Sequence, residues 1–116
     1  MGSHLQKTLE EIIEFKGVGL HSGVEANLRI KPAEPNSGIK FKRTDIDSYK
    51  NIIEANYKNV ISPILCTRIQ NSHGVSVATI EHLMAAFYLE GVDNALVELD
   101  ASEVPIMDGS AFDFAH

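Results

Sequence analysis

Hydrophobic and polar residues alternate along several short stretches of this chain, and such alternation is typical of β-strands that bury one face. The clearest case is residues 24–31, where apolar and polar side chains exchange at every position. The alternation over residues 8–15 is weaker but favours a strand over a short helix. Another alternating segment begins at Ile39 and ends near Arg43. These three segments predict half-buried strands.

Two further segments predict a β-hairpin. Residues 65–70 and 75–78 are strand-like, and they flank residues 71–74, Asn-Ser-His-Gly, which suit a four-residue loop. Residues 94–99 are rich in Val and Leu and predict the last strand, while residues 52–55 fit a short one.

One helix is predicted, from Ile80 to about Glu90. Thr79 is a suitable N-cap, and Glu81 in the first turn suits the positive end of the helix dipole. Gly91 is a natural residue to follow the last turn.

This predicted helix has two faces of apolar or small residues when its side chains are placed about 100° apart. One face comprises Ile80, Leu83, Met84 and Phe87. The opposite face comprises His82, Ala85, Ala86 and Leu89. A helix of this kind is buried on two sides. One face is therefore expected to pack on the domain's own sheet, and the other needs a partner.

The predicted fold class is α+β, a mostly antiparallel sheet packed with one complete helix and the start of a second. The 116 residues suffice for one domain and not two. Residues 1–4 have the sequence of an expression-tag remnant, which leaves residues 5–116 as the domain. Ser110 is a suitable N-cap for the second helix, and the sequence ends about one turn later. We therefore expect a domain truncated in its second helix.

The composition limits which partners the protein can bind and which cellular compartment suits it. The formal net charge of −6 argues against nucleic acid or an anionic membrane surface as the main partner. No apolar run approaches the roughly 20 residues that span a bilayer. The single cysteine, Cys66, excludes a disulfide scaffold and favours a reducing compartment. The expected location is cytoplasmic, and Cys66 itself reads first as a small core residue in an apolar strand.

The pair Glu81-His82 is the leading candidate for chemistry. A catalytic zinc site usually takes three protein ligands plus a water molecule, and it needs a base to accept a proton from that water. Adjacent helical residues point about 100° apart and can reach one centre only at the start of the helix, where this pair lies. The pair alone is a weak signal, because Ala86 occupies the place of the second His in an H-E-x-x-H motif. On spacing alone, a helix-terminal Glu and a packed His explain it better.

A glycine-rich turn over residues 17–23 is the second candidate. Such a turn can direct backbone amides at a phosphate group. It is not a dinucleotide-binding fingerprint, because it leads into a strand instead of a helix. A tight connection between two strands, with His21 exposed, explains it equally well.

Taken together, five segments in order resemble the UDP-3-O-acyl-N-acetylglucosamine deacetylases. Each segment alone is a weak match, but the ordered set is specific and covers nearly the whole chain. The matching segments are Gly17–Gly23 (GVGLHSG), Phe41–Asp45 (FKRTD), Thr79–Ala86 (TIEHLMAA), Gly91–Asn94 (GVDN) and Val104–Ser110 (VPIMDGS).

The resemblance implies a role for each matching residue. His82 matches a zinc ligand and Glu81 a general base. Leu20 and His21 match a loop near the catalytic cleft, so they are expected to contact substrate. Cys66 matches a position close to the metal, and a substrate-binding role is expected there as well. Asp108 also falls in a family motif, where we expect a structural role.

The resemblance also implies a fold and a reaction. The enzyme would be a two-domain β-α-α-β sandwich in which the helices of the two halves meet, and this chain would be the amino-terminal half. The reaction would be the zinc-dependent hydrolysis of the 2-acetamido group of UDP-3-O-acyl-N-acetylglucosamine, giving UDP-3-O-acyl-glucosamine and acetate, the committed step of lipid A synthesis in a bacterium. The other zinc ligands and a further catalytic His would come from the carboxy-terminal domain. The 116 residues alone are therefore expected to be inactive.

Two other interpretations remain open at this point. The chain could be a non-catalytic binding or assembly domain of the same fold, or a phosphate-binding module built on the glycine-rich turn. In addition, the second face of the helix from Ile80 to Glu90 is expected to drive self-association when no partner covers it.

Overall fold

The computed structural model describes residues 5–56, 59–62 and 67–106, although nothing is described of the side chains of residues 61 and 62. Within these residues the chain forms eight β-strands, one α-helix and a 3-10 turn at Tyr49–Asn51. In chain order the elements are β1 (Ile13–Val18), β2 (Glu25–Pro32), β3 (Ile39–Arg43), β4 (Ile52–Glu54), β5 (Val60–Ser62), β6 (Arg68–Gln70), β7 (Ser76–Ala78), α1 (Glu81–Glu90) and β8 (Ala95–Leu99).

The larger sheet has five strands in the order β1-β2-β8-β3-β4. All of its pairs are antiparallel except β3 with β8, which run parallel. Ala26, Leu28 and Ile30 of β2 are buried because a strand turns alternate side chains to the same face. Ile30 lies opposite Val97 of β8, and Phe41 of β3 lies opposite the same Val97. One face of this sheet is therefore a continuous apolar layer.

The other face of this sheet carries charged side chains of both signs. Arg29 of β2 lies opposite Glu14 of β1 and donates a hydrogen bond of 2.7 Å to its carboxylate. Lys31 reaches Glu98 of β8 at 3.3 Å. The Arg29–Glu14 pair is exposed and contributes little to stability, whereas Lys31 and Glu98 are partly buried. Both pairs keep this face of the sheet polar.

A second layer covers the apolar face. It consists of α1 and a smaller antiparallel sheet in the order β5-β6-β7. Ile69 and Val77 from the small sheet, together with Leu83 and Phe87 from α1, are buried in one cluster with the apolar residues of the large sheet. The predicted α+β class is confirmed.

Arg43 links the two sheets at the end of β3. Its guanidinium donates a hydrogen bond of 2.8 Å to the Ser76 carbonyl of β7 and a pair of hydrogen bonds to the carboxylate of Asp45. The hydrogen bond from Arg43 lowers the pKa of Asp45, against the opposing effect of burial. This link gives Arg43 and Asp45 of the Phe41–Asp45 segment a structural role.

The two ends of α1 differ in how well the sequence predicted them. Gly91 ends the helix in the left-handed conformation, with φ of 71°, as expected. The predicted N-cap was wrong. Ile80 occupies the cap position without a side-chain hydrogen bond, and the hydroxyl of Thr79 bonds to Glu103 instead.

The predicted assignment of Ala86 to the outer face of α1 was wrong. Leu83 and Phe87 are buried as expected, but Ala86 is also buried, with only 7% of its surface exposed. Ala86 lies three residues from Leu83 and beside Phe87, so it falls at the edge of the inward stripe. Tyr88 and Leu89 are 85% and 80% exposed and make up the open face of the helix.

One predicted strand differs from the structure, one strand was not predicted, and two predicted segments lie at least partly outside the described residues. The first strand begins at Ile13 and not at residue 8, because residues 7 and 8 bond to the loop before β8. The amides of Asp93 and Asn94 donate to the Lys7 carbonyl, and the Thr8 hydroxyl donates to the Asn94 carbonyl at 2.6 Å. The strand β5 was not predicted. The proposed second helix and the strand residues 65 and 66 lie outside the described residues.

In the described part of the chain, no helix has both the length and the apolar character needed to cross a membrane.

Truncation of Phe87 should be far more costly than truncation of its neighbour Tyr88. Phe87→Ala removes a ring that is only 1% exposed and lies in the core, so it should lower the free energy of unfolding by about 3–5 kcal/mol. Tyr88→Ala, on the open face, should change it by less than about 0.5 kcal/mol. Urea unfolding of both variants measures the difference, and equal losses would contradict this placement of α1.

Candidate functional site

Residues 101–106, directly after β8, lie between two segments that are remote in sequence. On one side, Gly19 forms a β-bridge with Pro105. On the other, Ala78 pairs with Glu103, its amide donating to the Ser102 carbonyl at 2.8 Å. This segment therefore joins the glycine-rich turn to the residues that precede α1.

The carboxylate of Glu103 lies at the centre of this junction. The residue is only 3% exposed. The Ser22 amide donates to Oε1 at 2.7 Å, and the Thr79 hydroxyl donates to Oε2 at 2.6 Å. The His21 amide lies 3.1 Å from both oxygens. A buried carboxylate needs such donors, because an unpaired charge in an apolar interior is strongly unfavourable.

These donors determine the charge state of Glu103. Burial opposes ionisation, but the hydrogen bonds from Thr79, Ser22 and His21 outweigh it and lower the pKa of Glu103 from 4.5 to about 2. The carboxylate is therefore charged at neutral pH.

Gly19 is required by this arrangement. A Cβ atom at this position would overlap Oε1 of Glu103 and would lie 2.5 Å from the hydroxyl oxygen of Ser22. Contacts this short force the neighbouring atoms to move. The glycine thus makes room for the buried carboxylate.

Thr79 holds a strained backbone conformation directly before α1. Its φ of 61° is unusual for a β-branched residue. Its amide donates to the Thr67 carbonyl at 2.8 Å, and its hydroxyl is held by Glu103. Strain of this kind persists only where the surroundings impose it, and it concentrates at functional sites.

The predicted base and metal ligand occupy the first turn of α1. Glu81 is half-buried, and its Oε1 accepts a hydrogen bond of 3.1 Å from the Thr67 amide. His82 is exposed and lines a cavity of about 200 Å³. The other lining residues are Leu20, Thr79, Leu83, Val104, Pro105 and Ile106.

The structure brings some of the predicted site residues together and separates others. Leu20 and His82 line the same cavity, whereas Glu81 and His21 are not among its lining residues. His21 is exposed, and its backbone amide is bonded to Glu103. Cys66 lies outside the described residues.

The described residues do not make a metal site by themselves. Among them, no three His, Cys, Asp or Glu side chains are grouped so that they could hold a metal ion. His82 provides one imidazole at the edge of the cavity, and a catalytic zinc site usually needs three protein ligands.

The chain matches the family model described as LpxC, UDP-3-O-acyl N-acetylglycosamine deacetylase, over residues 6–116. The chain belongs to this family. It is 46% identical over 111 residues to the UDP-3-O-acyl-N-acetylglucosamine deacetylases of Vibrio cholerae serotype O1, Vibrio atlanticus and Vibrio campbellii. In each comparison the match covers 96% of this chain and 36% of the relative. The deacetylase family suggested by the ordered motifs is confirmed.

Glu103, which accepts hydrogen bonds from three residues at the candidate site, was not predicted from the sequence. Glu103 precedes the matched Val104–Ser110 segment, but a single Glu in a predicted loop is normally solvated. No signal in the sequence singles it out. Only the structure shows that Gly19 has no left-handed φ and is glycine because Glu103 leaves no space for a Cβ atom.

Glu103 should make stability depend on pH in a defined window. A group whose pKa is lowered by folding stabilises the fold above its unfolded value, and this contribution is lost as pH falls through its folded value. A fall from 4.5 to about 2 corresponds to about 3 kcal/mol. The contribution should be complete above pH 5 and should disappear as pH falls from 4.5 towards 2.

Unfolding of the wild-type chain and of Glu103→Gln across pH 2–7 measures this contribution. The difference between the two proteins should be largest at pH 5–7 and should shrink in acid. Glu34→Gln, at an exposed loop position, controls for the loss of one negative charge. A gap between wild type and Glu103→Gln that stays constant over the whole range would contradict the charged, hydrogen-bonded state of Glu103.

Proposed function

We propose that this chain contributes one side of the active site of a zinc-dependent UDP-3-O-acyl-N-acetylglucosamine deacetylase. The substrate would be UDP-3-O-acyl-N-acetylglucosamine, and hydrolysis of its 2-acetamido group would give UDP-3-O-acyl-glucosamine and acetate, as a step of lipid A synthesis in the bacterial cytoplasm. Membership of the deacetylase family supports the reaction. The observation that carries the proposal is the cavity in which Leu20 and His82, from two matched family segments, come together.

In this proposal His82 is one of the zinc ligands. Its imidazole is exposed at the edge of the cavity, where an ion could reach both it and a bound substrate. Zinc in such a site supplies a Lewis acid that polarises the amide carbonyl and makes a bound water molecule more acidic. The remaining ligands would come from residues outside this chain, which spans 36% of the length of the relatives it matches.

Glu81 is proposed as the general base. The Thr67 amide holds Oε1, and within the described residues this is the hydrogen bond that the Glu81 side chain accepts. Oε2 is then available to take a proton from water and to deliver it to the leaving amine. A carboxylate fixed through one oxygen keeps a defined direction for the other, which general base catalysis requires.

The turn that carries Leu20 and His21 is proposed to contact substrate. Leu20 supplies an apolar wall of the cavity and is 62% exposed, so it can cover a bound group. His21 presents its side chain to solvent while its backbone is fixed by Glu103. A substrate-binding role for Cys66 remains part of this proposal through the family resemblance.

We further propose that the open face of α1 meets the carboxy-terminal domain of the enzyme. Ala85, Tyr88 and Leu89 are exposed there, while the opposite face packs on the large sheet. Without that partner, a second copy of the chain would cover the same surface, because a two-fold axis lets one patch cover itself.

The 116 residues alone should show no deacetylase turnover, because no group of three possible ligands occurs in the described part of the chain, where His82 is the one proposed. Turnover should appear when this chain is joined to the part of the Vibrio cholerae relative that follows the matched segment. In that chimaera Glu81→Ala should lower kcat by about two to four orders of magnitude and retain zinc. His82→Ala should lose zinc, and Glu34→Ala should behave like the parent.

Acetate release and zinc content, measured on the same preparations, decide the assignment. Zinc lost from Glu81→Ala but kept in His82→Ala would reverse the two roles. Turnover by the isolated 116 residues would refute the proposal that further ligands are needed.

Self-association should occur at micromolar or higher concentration and should depend on the open face of α1. Tyr88→Glu places a charge in that face and should weaken association at least tenfold. Tyr49→Glu is a matched control, because Tyr49 is 82% exposed but lies in a different part of the fold. Sedimentation across a concentration series measures both. A monomer at high concentration, or equal effects of the two substitutions, would show that this face is not the contact.

A further inference from the structure

The cavity that holds Leu20 and His82 has three walls, and each comes from a different part of the sequence. Leu20 belongs to the glycine-rich turn. Thr79 precedes α1, and His82 and Leu83 lie in its first turn. The third wall is Val104–Ile106, the segment after β8.

Glu103 is joined to all three walls. It is the chain neighbour of Val104 in the third wall. Its carboxylate accepts hydrogen bonds from the amides of His21 and Ser22, directly after Leu20, and from the hydroxyl of Thr79, which is itself in the second wall. In the described part of the chain, no other buried carboxylate makes contacts of this kind.

We propose that Glu103 is a positioning residue, whose buried carboxylate fixes the turn at Leu20 relative to the start of α1 and thereby sets where His82 lies across the cavity from Leu20. The proposal rests on the proposed function only in its claim that the position of His82 matters for catalysis. The coupling itself is a property of this chain and can be measured without catalysis.

On the side of the turn, the carboxylate fixes the direction of the backbone. Gly23 donates to the Gly19 carbonyl at 3.0 Å, which closes the turn on itself, and the β-bridge between Gly19 and Pro105 anchors the first residue of the turn. The amides of His21 and Ser22 donate to Glu103 and anchor the residues that follow Leu20. Leu20, which lines the cavity, is thus held between two anchored points of the turn.

On the side of the helix, the carboxylate stabilises the strained residue. The positive φ of Thr79 sets the angle at which the chain leaves β7 and enters α1. The Thr79 hydroxyl donates a hydrogen bond to Glu103. The Thr67 carbonyl accepts from the Thr79 amide, and the Thr67 amide donates to Glu81. A loss of the Glu103 contact would let Thr79 relax and would rotate the first turn, which carries His82.

A purely stabilising role makes a different prediction from a positioning role. A stabilising carboxylate changes the free energy of unfolding but leaves the folded structure of distant residues unchanged. A positioning carboxylate transmits a change from one wall of the cavity to another while the protein remains folded.

The test is reciprocal and uses amide resonances of the folded 116-residue chain. Thr79→Val removes the hydroxyl on the helix side and should shift the resonances of Leu20 and His21 in the turn. Gly19→Ala displaces the carboxylate from the turn side and should shift the resonance of His82. Thr79→Ser keeps the hydroxyl and should leave Leu20 at its wild-type resonance.

A matched control separates coupling from general destabilisation. Asn51 is buried to a similar degree and donates to two backbone carbonyls, but it lies beside β4. Asn51→Ala should destabilise the chain without moving the amide resonances of Leu20 or His82.

Hydrogen exchange gives a second measurement on the same chain. The His21 and Ser22 amides should exchange at least tenfold faster in Glu103→Gln, at a pH where the variant is folded. Their exchange should remain unchanged in Asn51→Ala. If Gly19→Ala does not fold, the Thr79→Val and Thr79→Ser pair decides alone.

The chimaeric enzyme gives a second readout. Thr79→Val should lower kcat by about tenfold or more, with KM and zinc content little changed, because misplacement of catalytic groups affects the chemical step. Thr79→Ser should restore kcat. Resonances of Leu20 that stay in place in Thr79→Val, or a kcat that Thr79→Val leaves unchanged, would overturn the proposal. An inactive parent chimaera would refute the proposed function, and the resonances would still decide the coupling.

Discussion

A negative charge can stay inside a protein only if donors surround it, and this requirement organises the described part of the chain. Glu103 is buried, so its two oxygens must be met by polar hydrogens from several directions. The turn at residues 19–23 and the strained residue before α1 provide them. The charge of Glu103 also fixes the conformation of both segments. The apolar core between the two layers holds the domain together, but the carboxylate determines how the walls of the cavity at Leu20 and His82 are arranged.

The sequence predicted the parts of this fold that follow from local periodicity. The strands β2, β3 and β8 bury one face, so their apolar residues recur at every second position, and this period marks them in the sequence. The end of α1 was also predicted, because Gly91 takes a conformation that other residues avoid. Periodicity says nothing about which strands are neighbours. The parallel pairing of β3 with β8 therefore could not be foreseen.

The parts that could not be predicted depend on contacts between remote residues. Thr79 has the hydroxyl of a good N-cap, and only the fold shows that this hydroxyl turns to Glu103 instead of the helix. Ala86 was assigned to the outer face of α1 but is buried, because small side chains give periodicity little to distinguish. For the candidate site, Glu81, His82, Leu20 and His21 were identified through the family motifs. Their geometry, with Leu20 and His82 at one cavity, came from the structure.

The link between the turn and Glu103 also bears on the order in which the chain folds. The contacting residues are separated by 81 and 82 positions, whereas β1 and β2 pair across a short connection. Closing a long loop costs more chain entropy than closing a short one, so contacts between remote residues tend to form late. On a ribosome, the first hairpin can form while most of the domain is still unmade. The turn can receive its final orientation only after residue 103 has left the exit tunnel, so it is completed later than the hairpin of β1 and β2.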